Sequence, residues 1–574
     1  MKLSGAEIIW QSLEAEGVKY IFGHPGAILL SFLELFLQRD TIRHILTRHE
    51  QCAAHMAEGY ARASGEVGVC LTTSGPGATN LITGIADAFM DSVPLVALTG
   101  QVPSAMVGND AFQEADIVGM TRSVTKHSYL LRHTEEIAPA LQEAFHIARS
   151  GRPGPVLVDM PKDVILGKGS FGRKEKVTIR GYKPTYFGHP RQIQRVAEAL
   201  ARAKRPVIYG GGGIILSGCH EELKRLAETC DIPVTLTLLG LGGFPGDHPL
   251  FLGMLGMHGT AYANYAVHES DLLLAIGARF DDRVTGKLET FAPHATVVHI
   301  DIDPTAISKN VRVDIPVVGD ACNILKELNR VVTPCDQSLW KERIARWRRE
   351  HPLTYEDGGE GPVKPQYVIE TLSELCGDRA LITTEVGQHQ MWTAQYYRFS
   401  YPRQFISSGG LGTMGFGFPA AIGAAFARPD KVCIDIAGDG SFQMVSQELA
   451  AAVQYGVPVK VVILNNYSLG MVRQWQDLFM DRRFSEVGLE VSPDYVKLAE
   501  AYGATGLRAE RKEDVAPALR QMLETPGPVI VDCVVDTEEK VFPMVPAGGG
   551  VPDMIFGPPE RKPARGGLRA VRGR

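Results

Sequence analysis

The chain has 574 residues, of which 45% are hydrophobic and 22% are charged, and these fractions exclude a disordered chain, a collagen-like repeat and a small disulfide-linked scaffold. The net charge is −6, but residues 561–574 alone carry six basic residues and no acid. The remaining 53 basic and 65 acidic residues give the body a charge of −12, which argues against a general nucleic-acid binder. Phosphate ligands are not excluded, because backbone N–H groups can hold them.

The N-terminal segment, residues 1–17, has apolar residues at helical spacing and three glutamates, which predicts an amphipathic helix and not a signal peptide. The longest uncharged stretch, residues 404–427, is rich in glycine and contains Pro419, so it is a poor membrane span. Nine cysteines without a CxxC pair are typical of reduced thiols. We therefore expect a cytoplasmic protein that binds neither membranes nor nucleic acid.

Three blocks of short apolar segments alternating with helical patterns follow one another, which predicts an α/β fold of three doubly wound parallel-sheet domains. The blocks cover residues 1–165, 190–330 and 364–545, with one polar linker over 166–190 and a second between the second and third blocks that includes 356–362. Residues 546–574 form a C-terminal arm and a basic tail, and we expect the tail to be disordered. The predicted strands lie at 67–72, 93–98 and 155–159 in the first block, 206–209, 272–276 and 297–302 in the second, and 380–383, 432–437, 459–464 and 529–534 in the third.

The most informative motif lies in the third block, where Gly438-Asp439-Gly440-Ser441 follows one strand and Asn465-Asn466 ends the next. We expect Ser441 to cap a helix that runs to about Tyr455. A right-handed βαβ unit places both strand ends at one edge of the sheet, so Asp439 and Asn466 should meet there. Carboxylate, amide and main-chain oxygens suit Mg²⁺ shared with phosphates. An isolated GDG sequence would equally fit a plain turn stabilised by Asp439.

The spacing of GDGS and the asparagine pair resembles the diphosphate and Mg²⁺ motif of thiamine-diphosphate enzymes. The resemblance implies Asp439, Asn466 and the main-chain carbonyl of Ser468 as metal ligands, with Gly438, Gly440 and Ser441 beside the diphosphate.

Glu50 follows the predicted strand end Ile45-Leu46 and opens a predicted helix over 51–63. A lone glutamate there would usually be an exposed surface residue. The surrounding HEQCAAHMAEGYARASG and TTSGPGATN sequences, however, resemble the family's pyrimidine-binding domain. The resemblance implies that Glu50 hydrogen-bonds the aminopyrimidine ring and favours the tautomer that acts as internal base.

Nearly the whole chain resembles the large catalytic subunits of acetohydroxyacid (acetolactate) synthases of the bacterial anabolic type. Such enzymes decarboxylate pyruvate and transfer the hydroxyethyl unit to pyruvate or 2-ketobutyrate, giving 2-acetolactate or 2-aceto-2-hydroxybutyrate for branched-chain amino-acid biosynthesis. The stretches that carry this resemblance are 111–114, 151–155, 161–163, 255–259, 277–283, 299–304, 411–415 and 470–476.

The glycine run 210–213 after a strand suggests a dinucleotide fold, but the third glycine of GxGxxG is missing, so glycines that serve only turn packing fit equally well. The family resemblance implies an FAD site in this central block, with no net redox work in the main reaction. The residues that match its FAD-contacting segments are Arg152, Gly211, Gly212, Met257, His258, Gly277, Arg279, Asp281, Asp301 and Asp320.

The resemblance also implies roles around the reacting groups. Arg279 is a bidentate donor suited to the second substrate's carboxylate, and Trp475 would contact its alkyl group and favour 2-ketobutyrate. Phe112, Gln113 and Lys162 would line the entry and cofactor face, and Met414 would bend the cofactor. Val386, Gly412 and Met471 are the remaining implied cofactor contacts.

One position departs from the family's Gly-Tyr-Pro-Gly-Gly-Ala pattern. Here the sequence is Gly23-His24-Pro25-Gly26-Ala27-Ile28, so Ala27 stands in place of the second glycine. Its methyl group could crowd the reacting carbon or restrict the backbone.

Two other function classes remain open: a pyruvate oxidase-like enzyme with redox-active FAD, and a non-catalytic paralogue that only binds cofactor or partners. The family resemblance further implies a homodimer or tetramer, because its active sites form between two chains. It also allows a small regulatory subunit, and it implies that residues 544–554 cover the active site.

Overall fold

The computed structural model describes residues 2–356, 359 and 361–558, and the predicted disorder of the basic tail lies outside the described residues. The described chain forms three six-stranded sheets in which every strand pair is parallel. Helices connect successive strands and cover the sheets. The prediction of an α/β protein with three parallel sheets is confirmed.

The first sheet belongs to the N-terminal part of the chain. Its elements are β1 (Leu3–Ser4), α1 (Gly5–Ala15), β2 (Tyr20–His24), α2 (Leu30–Leu33), α3 (Leu35–Gln38), β3 (Arg43–Leu46), α4 (Glu50–Ser64), β4 (Gly68–Thr72), α5 (Pro76–Thr79), α6 (Ile82–Asp91), β5 (Leu95–Gln101), α7 (Ile117–Thr121), β6 (His127–Leu130), α8 (Ile137–Arg149), β7 (Pro155–Pro161), α9 (Lys162–Leu166) and β8 (Lys168–Gly169). The strand order is β3-β2-β4-β5-β7-β6, while β1 and β8 form a separate antiparallel pair. The N-terminal helix begins at a capping box, because Ser4 and Glu7 exchange side-chain-to-backbone hydrogen bonds.

The second sheet lies in the central part of the chain. Its elements are α10 (Pro190–Arg202), β9 (Pro206–Gly210), α11 (Gly213–Ser217), α12 (His220–Cys230), β10 (Val234–Leu236), β11 (Phe251–Met254), α13 (Ala261–Glu269), β12 (Leu272–Ile276), α14 (Asp282–Thr285), β13 (Thr296–Asp301), β14 (Ile315–Val318), α15 (Ala321–Val331) and α16 (Ser338–Glu350). The strand order is β11-β10-β9-β12-β13-β14. The order reverses beside β9, which places a crevice at the carboxyl ends of β9 and β12.

The third sheet has the same design. Its elements are α17 (Pro365–Cys376), β15 (Ala380–Thr384), α18 (Gln388–Tyr396), β16 (Phe405–Ser407), α19 (Gly417–Ala427), β17 (Val432–Gly438), α20 (Asp439–Gln443), α21 (Leu449–Gln454), β18 (Lys460–Asn465), α22 (Gly470–Phe479), α23 (Tyr495–Tyr502), β19 (Thr505–Ala509), α24 (Lys512–Glu524) and β20 (Val529–Val534). The strand order is β16-β15-β17-β18-β20-β19.

The prediction of a single helix from Ser441 to about Tyr455 is wrong, because the chain forms α20 and α21 with a break between them. The break turns the buried Glu448 towards the start of α4, where its carboxylate accepts the N–H of Arg48 at 2.9 Å and that of His49 at 3.0 Å. Ser441 is also not the capping residue. It lies in the first turn of α20, and its hydroxyl accepts the Gly438 N–H at 3.3 Å.

Helix α16 lies within the region expected to be a linker. Trp340 and Ile344 are buried on it, and the Trp340 ring nitrogen donates to the Pro206 carbonyl at 3.1 Å. These apolar contacts hold the segment against the central domain.

The first and third domains pack through helices α4 and α19, which approach closely because both carry glycine at the crossing. A Cβ on Gly59 would overlap the Ala420 carbonyl, and one on Gly423 would overlap the Met56 carbonyl.

All nine cysteines carry free thiols. Across the described ranges, no helix is both long and apolar enough to cross a membrane.

Candidate active site

Asp439, Ser468 and Asn466 lie together at the carboxyl edge of the third sheet, because β17 and β18 are neighbouring strands. The Asn466 Oδ1 accepts the Ser468 N–H at 3.2 Å. Asp439 is 1% exposed, and its Oδ2 has no hydrogen-bond partner. Burial raises the pKa of Asp439 to about 7, although N–H groups including that of Ser468 act in the opposite direction. An unpartnered buried carboxylate beside amide and carbonyl oxygens is a donor set that fits Mg²⁺.

Two further polar residues lie at this edge, Gln388 and His389 at the start of α18, and neither was predicted from the sequence. Gln388 accepts a hydrogen bond from the Asn466 side chain at 3.3 Å. The buried Nε2 of His389 has no partner, and burial lowers the pKa of this ring to about 3, so the ring is neutral. A Cβ on Gly438 would lie 2.8 Å from the His389 ring, so the glycine is needed for this close approach. The signal was available, because α18 directly follows β15, the neighbour of β17.

Glu50 is the first residue of α4 and lies half-buried just beyond β3. Its Oε2 accepts a hydrogen bond from the Asn80 side chain at 2.9 Å.

Nearby, a Cβ on Gly26 would overlap the Thr73 side chain. Ala27 is exposed and begins a short 3₁₀ turn without a positive φ, so its backbone does not require glycine.

Phe112, Gln113 and Lys162 belong to the same N-terminal domain. Phe112 is 88% exposed. Gln113 has a φ of +61°, and its Cα would lie 2.9 Å from a Cβ on Gly75. Lys162 opens α9 directly after β7.

A cavity of about 810 Å³ opens where all three domains meet. The sequence-predicted residues that line it are Val386, Gly412, Met471, Trp475, Gly211, Gly212, Met257, His258, Gly277, Arg279 and Asp281. The predicted residues outside its lining are Glu50, Phe112, Gln113, Lys162, Arg152, Asp301, Asp320, Met414, Gly438, Asp439, Gly440, Ser441, Asn466 and Ser468. The predicted residues therefore divide into a cavity group, a diphosphate edge and an N-terminal group, with Arg152, Asp301, Asp320 and Met414 outside all three.

Glycines form the floor of this cavity at the ends of β9 and β12. Gly277 has a φ of +57°, and a Cβ on Gly211 would overlap its carbonyl oxygen. The two strand ends can therefore approach this closely only without side chains, which leaves bare main chain at this part of the cavity wall. A wall of main chain at the carboxyl ends of β9 and β12 is a place where a dinucleotide such as FAD would fit.

Three of the predicted flavin residues, Arg152, Asp301 and Asp320, are not part of the cavity lining. The Arg152 Nε donates to the hydroxyl of Ser92, a lining residue, at 2.8 Å. The Asp301 carboxylate accepts the Asp303 N–H at 2.8 Å, and Asp320 caps α15 by accepting the Asn323 N–H at 3.0 Å. Within the chain, the two aspartates thus have local structural contacts.

Two guanidinium groups reach the cavity. Arg279 donates to the Met90 main-chain carbonyl. The second is Arg283, which was not predicted as a site residue. Its side chain is 61% exposed and forms a 3.3 Å ion pair with Asp282. Trp475 lines the same wall, edge-on to Phe479 at 5.5 Å between ring centroids.

His258 lines the cavity as a neutral ring, because burial lowers its pKa to about 4. Its Nδ1 is buried without a partner. Met414 is half-buried just beyond the lining segment that ends at Gly412.

The fold and the site define an α/β protein of three parallel-sheet domains with an acid-and-amide sheet edge and a glycine-lined cavity. Three family models match it: the thiamine pyrophosphate enzyme N-terminal TPP binding domain over residues 3–120, the central domain over 193–328 and the C-terminal TPP binding domain over 385–533.

Similar proteins cover nearly the full chain. A probable acetolactate synthase large subunit of Methanocaldococcus jannaschii is 51% identical over 96% of this chain and 95% of its own length. The acetolactate synthase isozyme 3 large subunit of Escherichia coli is 49% identical over 97% and 99%. The acetolactate synthase large subunit of Haemophilus influenzae is 48% identical over 98% and 99%. The chain belongs to the thiamine pyrophosphate enzyme family, and within it to the acetolactate synthase large subunits.

Proposed function

We propose that this chain catalyses the acetolactate synthase reaction. Pyruvate loses carbon dioxide, and its remaining two-carbon unit joins pyruvate or 2-ketobutyrate to give 2-acetolactate or 2-aceto-2-hydroxybutyrate. This is the first common step of branched-chain amino-acid biosynthesis. The observation that carries the proposal is that a glycine floor, Arg279 and Trp475 meet in one cavity. The names of the relatives favour this reaction over the pyruvate oxidase alternative.

Bound thiamine diphosphate supplies a carbon centre that attacks the keto group and accepts negative charge as carbon dioxide leaves. Asp439, Asn466 and the Ser468 carbonyl would hold Mg²⁺, and Gly438, Gly440, Ser441 and His389 would surround the diphosphate. The N–H groups and glycines of this edge leave room for the phosphate oxygens. FAD would lie on Gly211, Gly212 and Gly277.

The Glu50 carboxylate would hold a proton at a ring nitrogen of the pyrimidine. Asn80 fixes one carboxylate oxygen at 2.9 Å, which leaves the other oxygen for the ring. A half-buried carboxylate at a fixed position is well suited to repeated proton transfer. We propose Glu50 as the principal proton-transfer residue of this chain.

Substrate recognition requires a cation for the carboxylate and an apolar wall for the alkyl group. Arg279 and Arg283 both reach the cavity, and planar guanidinium groups bind carboxylates through paired hydrogen bonds. Because Arg279 is partly committed to the Met90 carbonyl, Arg283 adds donor capacity. Trp475 would contact the extra methyl group of 2-ketobutyrate, a contact worth about 1–3 kcal/mol.

The N-terminal group supports a shared active site between two chains. None of Glu50, Phe112, Gln113 and Lys162 lines the cavity that holds Trp475 and Val386. The high exposure of Phe112 fits burial against a second copy. We propose at least a homodimer, in which each chain's N-terminal group completes the other chain's site. A small regulatory subunit is proposed from the large-subunit names of the relatives.

The test is a competition between pyruvate and 2-ketobutyrate, with and without added FAD, under anaerobic conditions. We expect both acetohydroxy acids, with acetohydroxybutyrate favoured. Oxygen-dependent production of acetate or acetyl phosphate without acetolactate would refute the proposal.

Trp475→Leu tests the specificity assignment in the same competition. Removing the ring should lower the preference for 2-ketobutyrate about tenfold, because a pocket methylene is worth about 1–3 kcal/mol. Trp347→Leu is the matched control, since Trp347 lies on α16 outside the cavity lining. An unchanged product ratio in the Trp475 variant would remove this residue from substrate recognition.

A further inference from the structure

Asp91, at the end of α6, has a fully buried side chain whose two oxygens are occupied by the third domain and one arginine. Its Oδ1 accepts the Gly410 N–H at 2.7 Å, and its Oδ2 accepts the Gly409 N–H at 2.9 Å. The Arg62 guanidinium donates to the same Oδ2 at 2.6 Å. A charged carboxylate thus bridges two consecutive backbone amides, an arrangement of strong hydrogen bonds.

The contact extends over residues 407–413, which we call the glycine loop. Arg62 donates a second hydrogen bond to the Ser407 carbonyl at 2.7 Å. Asp87 accepts hydrogen bonds from the hydroxyls of Ser408 and Thr413. The Ser408 hydroxyl in turn accepts the Gly412 N–H at 3.0 Å. Three side chains of the first domain therefore bond the loop along its length.

This loop forms part of the cavity wall. Residues 408–412 line the cavity from the third domain, and residues 90–92 line it from the first. A Cβ on Gly410 would lie 2.6 Å from the Asp91 Oδ1 and 3.0 Å from an Arg279 nitrogen. The loop is thus packed between the Asp91 carboxylate and an arginine of the proposed substrate site.

Three glycines, at 409, 410 and 412, give the loop little conformational preference of its own. Its shape must then come from external contacts that offset the entropy of ordering. We propose that Asp91, braced by Arg62, is a positioning residue that fixes the glycine loop and thereby shapes the shared flavin and substrate cavity. The link to the cavity's ligands rests on the proposed function, whereas the link to the loop does not.

The surrounding carboxylates favour the charged form of Arg62 beside Asp91. Burial opposes the charge of Arg62, but the carboxylates of Asp91, Glu58 and Asp87 raise its pKa. Burial raises the pKa of both Glu58 and Asp87, so these two acids are suited to sharing a proton. His55, held 3.0 Å from Glu58, is neutral because burial lowers its pKa to about 3. The arginine's charge is therefore available to Asp91.

The experiment measures backbone hydrogen exchange of residues 407–413 in the cofactor-free full-length chain. In Asp91→Ala we expect the amides of Gly409 and Gly410 to exchange at least about tenfold faster, with a smaller increase in Asp91→Asn. Flavin binding to the same variants should weaken about tenfold. Asp271→Ala is the matched control, because Asp271 likewise accepts two consecutive amides, those of Lys204 and Arg205, both at 2.9 Å, outside the cavity lining.

If Asp91→Ala fails to fold, Asp91→Asn and Arg62→Lys decide the question, because both keep the approximate side-chain volume. Wild-type exchange in the loop of a folded variant would overturn the inference. Faster exchange with wild-type flavin affinity would also overturn it, since the loop would then not shape the cavity. Failure of the proposed function is seen separately, as a wild-type chain that forms no acetolactate.

Discussion

Glu50 obtains its position from the end of β3 and the start of α4. The amides of Arg48 and His49 just before it are held by the Glu448 carboxylate, so the diphosphate-binding domain fixes the backbone of the N-terminal domain there. Hydrogen bonds to a buried carboxylate are short and directional. Glu50 therefore has a fixed position, although it is the first residue of a helix, where the backbone is often mobile.

Glu50→Gln should leave the protein folded, because glutamine can still accept the hydrogen bond from Asn80. The variant loses the proton-transfer group, and we expect exchange of the cofactor's C2 proton to slow by about 10²–10⁴-fold. Proton exchange followed by NMR on the loaded enzyme measures this. Asn80→Ala, which keeps the carboxylate, should have a smaller effect; an unchanged rate in Glu50→Gln would refute the assignment.

Asp159 provides a pH-dependent prediction for stability. Its carboxylate is buried in β7, and it accepts hydrogen bonds from Thr99 at 2.7 Å and Gln101 at 2.9 Å. Burial raises its pKa to about 7, which these two hydrogen bonds only partly oppose. The folded state therefore binds more protons than the unfolded state between about pH 4 and 7, and this contribution to stability is lost as the pH rises.

Asp159→Asn should remove that dependence, because an amide can accept from Gln101 and donate to the Thr99 hydroxyl. We expect the free energy of unfolding of the wild type to fall relative to the variant by roughly 1–3 kcal/mol between pH 4 and 7. Urea unfolding at several pH values gives the two curves. Parallel curves would contradict the raised pKa of Asp159.

At the scale of elements, the crossing of α4 and α19 joins the two cofactor-binding domains of one chain. Glycines at the crossing allow backbone-to-backbone approach, which larger side chains would prevent. This close packing also fixes where Glu50, at the start of α4, lies relative to the third domain.

Gly423→Ala should destabilise the chain by about 1–3 kcal/mol or more, because the new methyl group meets the Met56 carbonyl and the backbones must separate. Gly172→Ala is the control, since that glycine has open space and no positive φ. Thermal or denaturant unfolding measures both variants. A Gly423→Ala variant as stable as the wild type would show that α4 and α19 can move apart without a loss of free energy of unfolding.

At the scale of the whole molecule, the N-terminal group and the cavity group are separate within one chain. A closed symmetric dimer would bring each N-terminal group to the partner's diphosphate edge. The division of the predicted residues then has a simple geometric explanation.

Mixing Glu50→Gln chains with Asp439→Ala chains tests this arrangement. Each hybrid dimer would have one site with both lesions and one intact site, so random mixing should restore about a quarter of wild-type activity. Hybrids purified from co-expressed, differently tagged chains should keep about half of wild-type activity, because one of their two sites is intact. Hybrids as inactive as the two parents would show that each site is built within one chain.

Much of the fold could be predicted from the sequence, because buried parallel strands are short apolar runs bounded by glycine and proline. The strands at 272–276 and 529–534 were predicted to the residue. Helix α16 and the break between α20 and α21 could not be predicted. Their causes, the packing of Trp340 and the contact of Glu448 with Arg48 and His49, join residues far apart in the sequence.

By itself, the sequence determined the three-sheet α/β architecture, the family and the local pairing of Asp439 with Asn466, because each depends on short-range pattern or on the geometry of one βαβ unit. Only the tertiary structure decided that Asp91 and Arg62 hold the glycine loop, and that Arg279 and Arg283 reach a cavity lined also by the first and third domains. These relations arise where separate domains pack, and spacing along the chain carries no information about that packing.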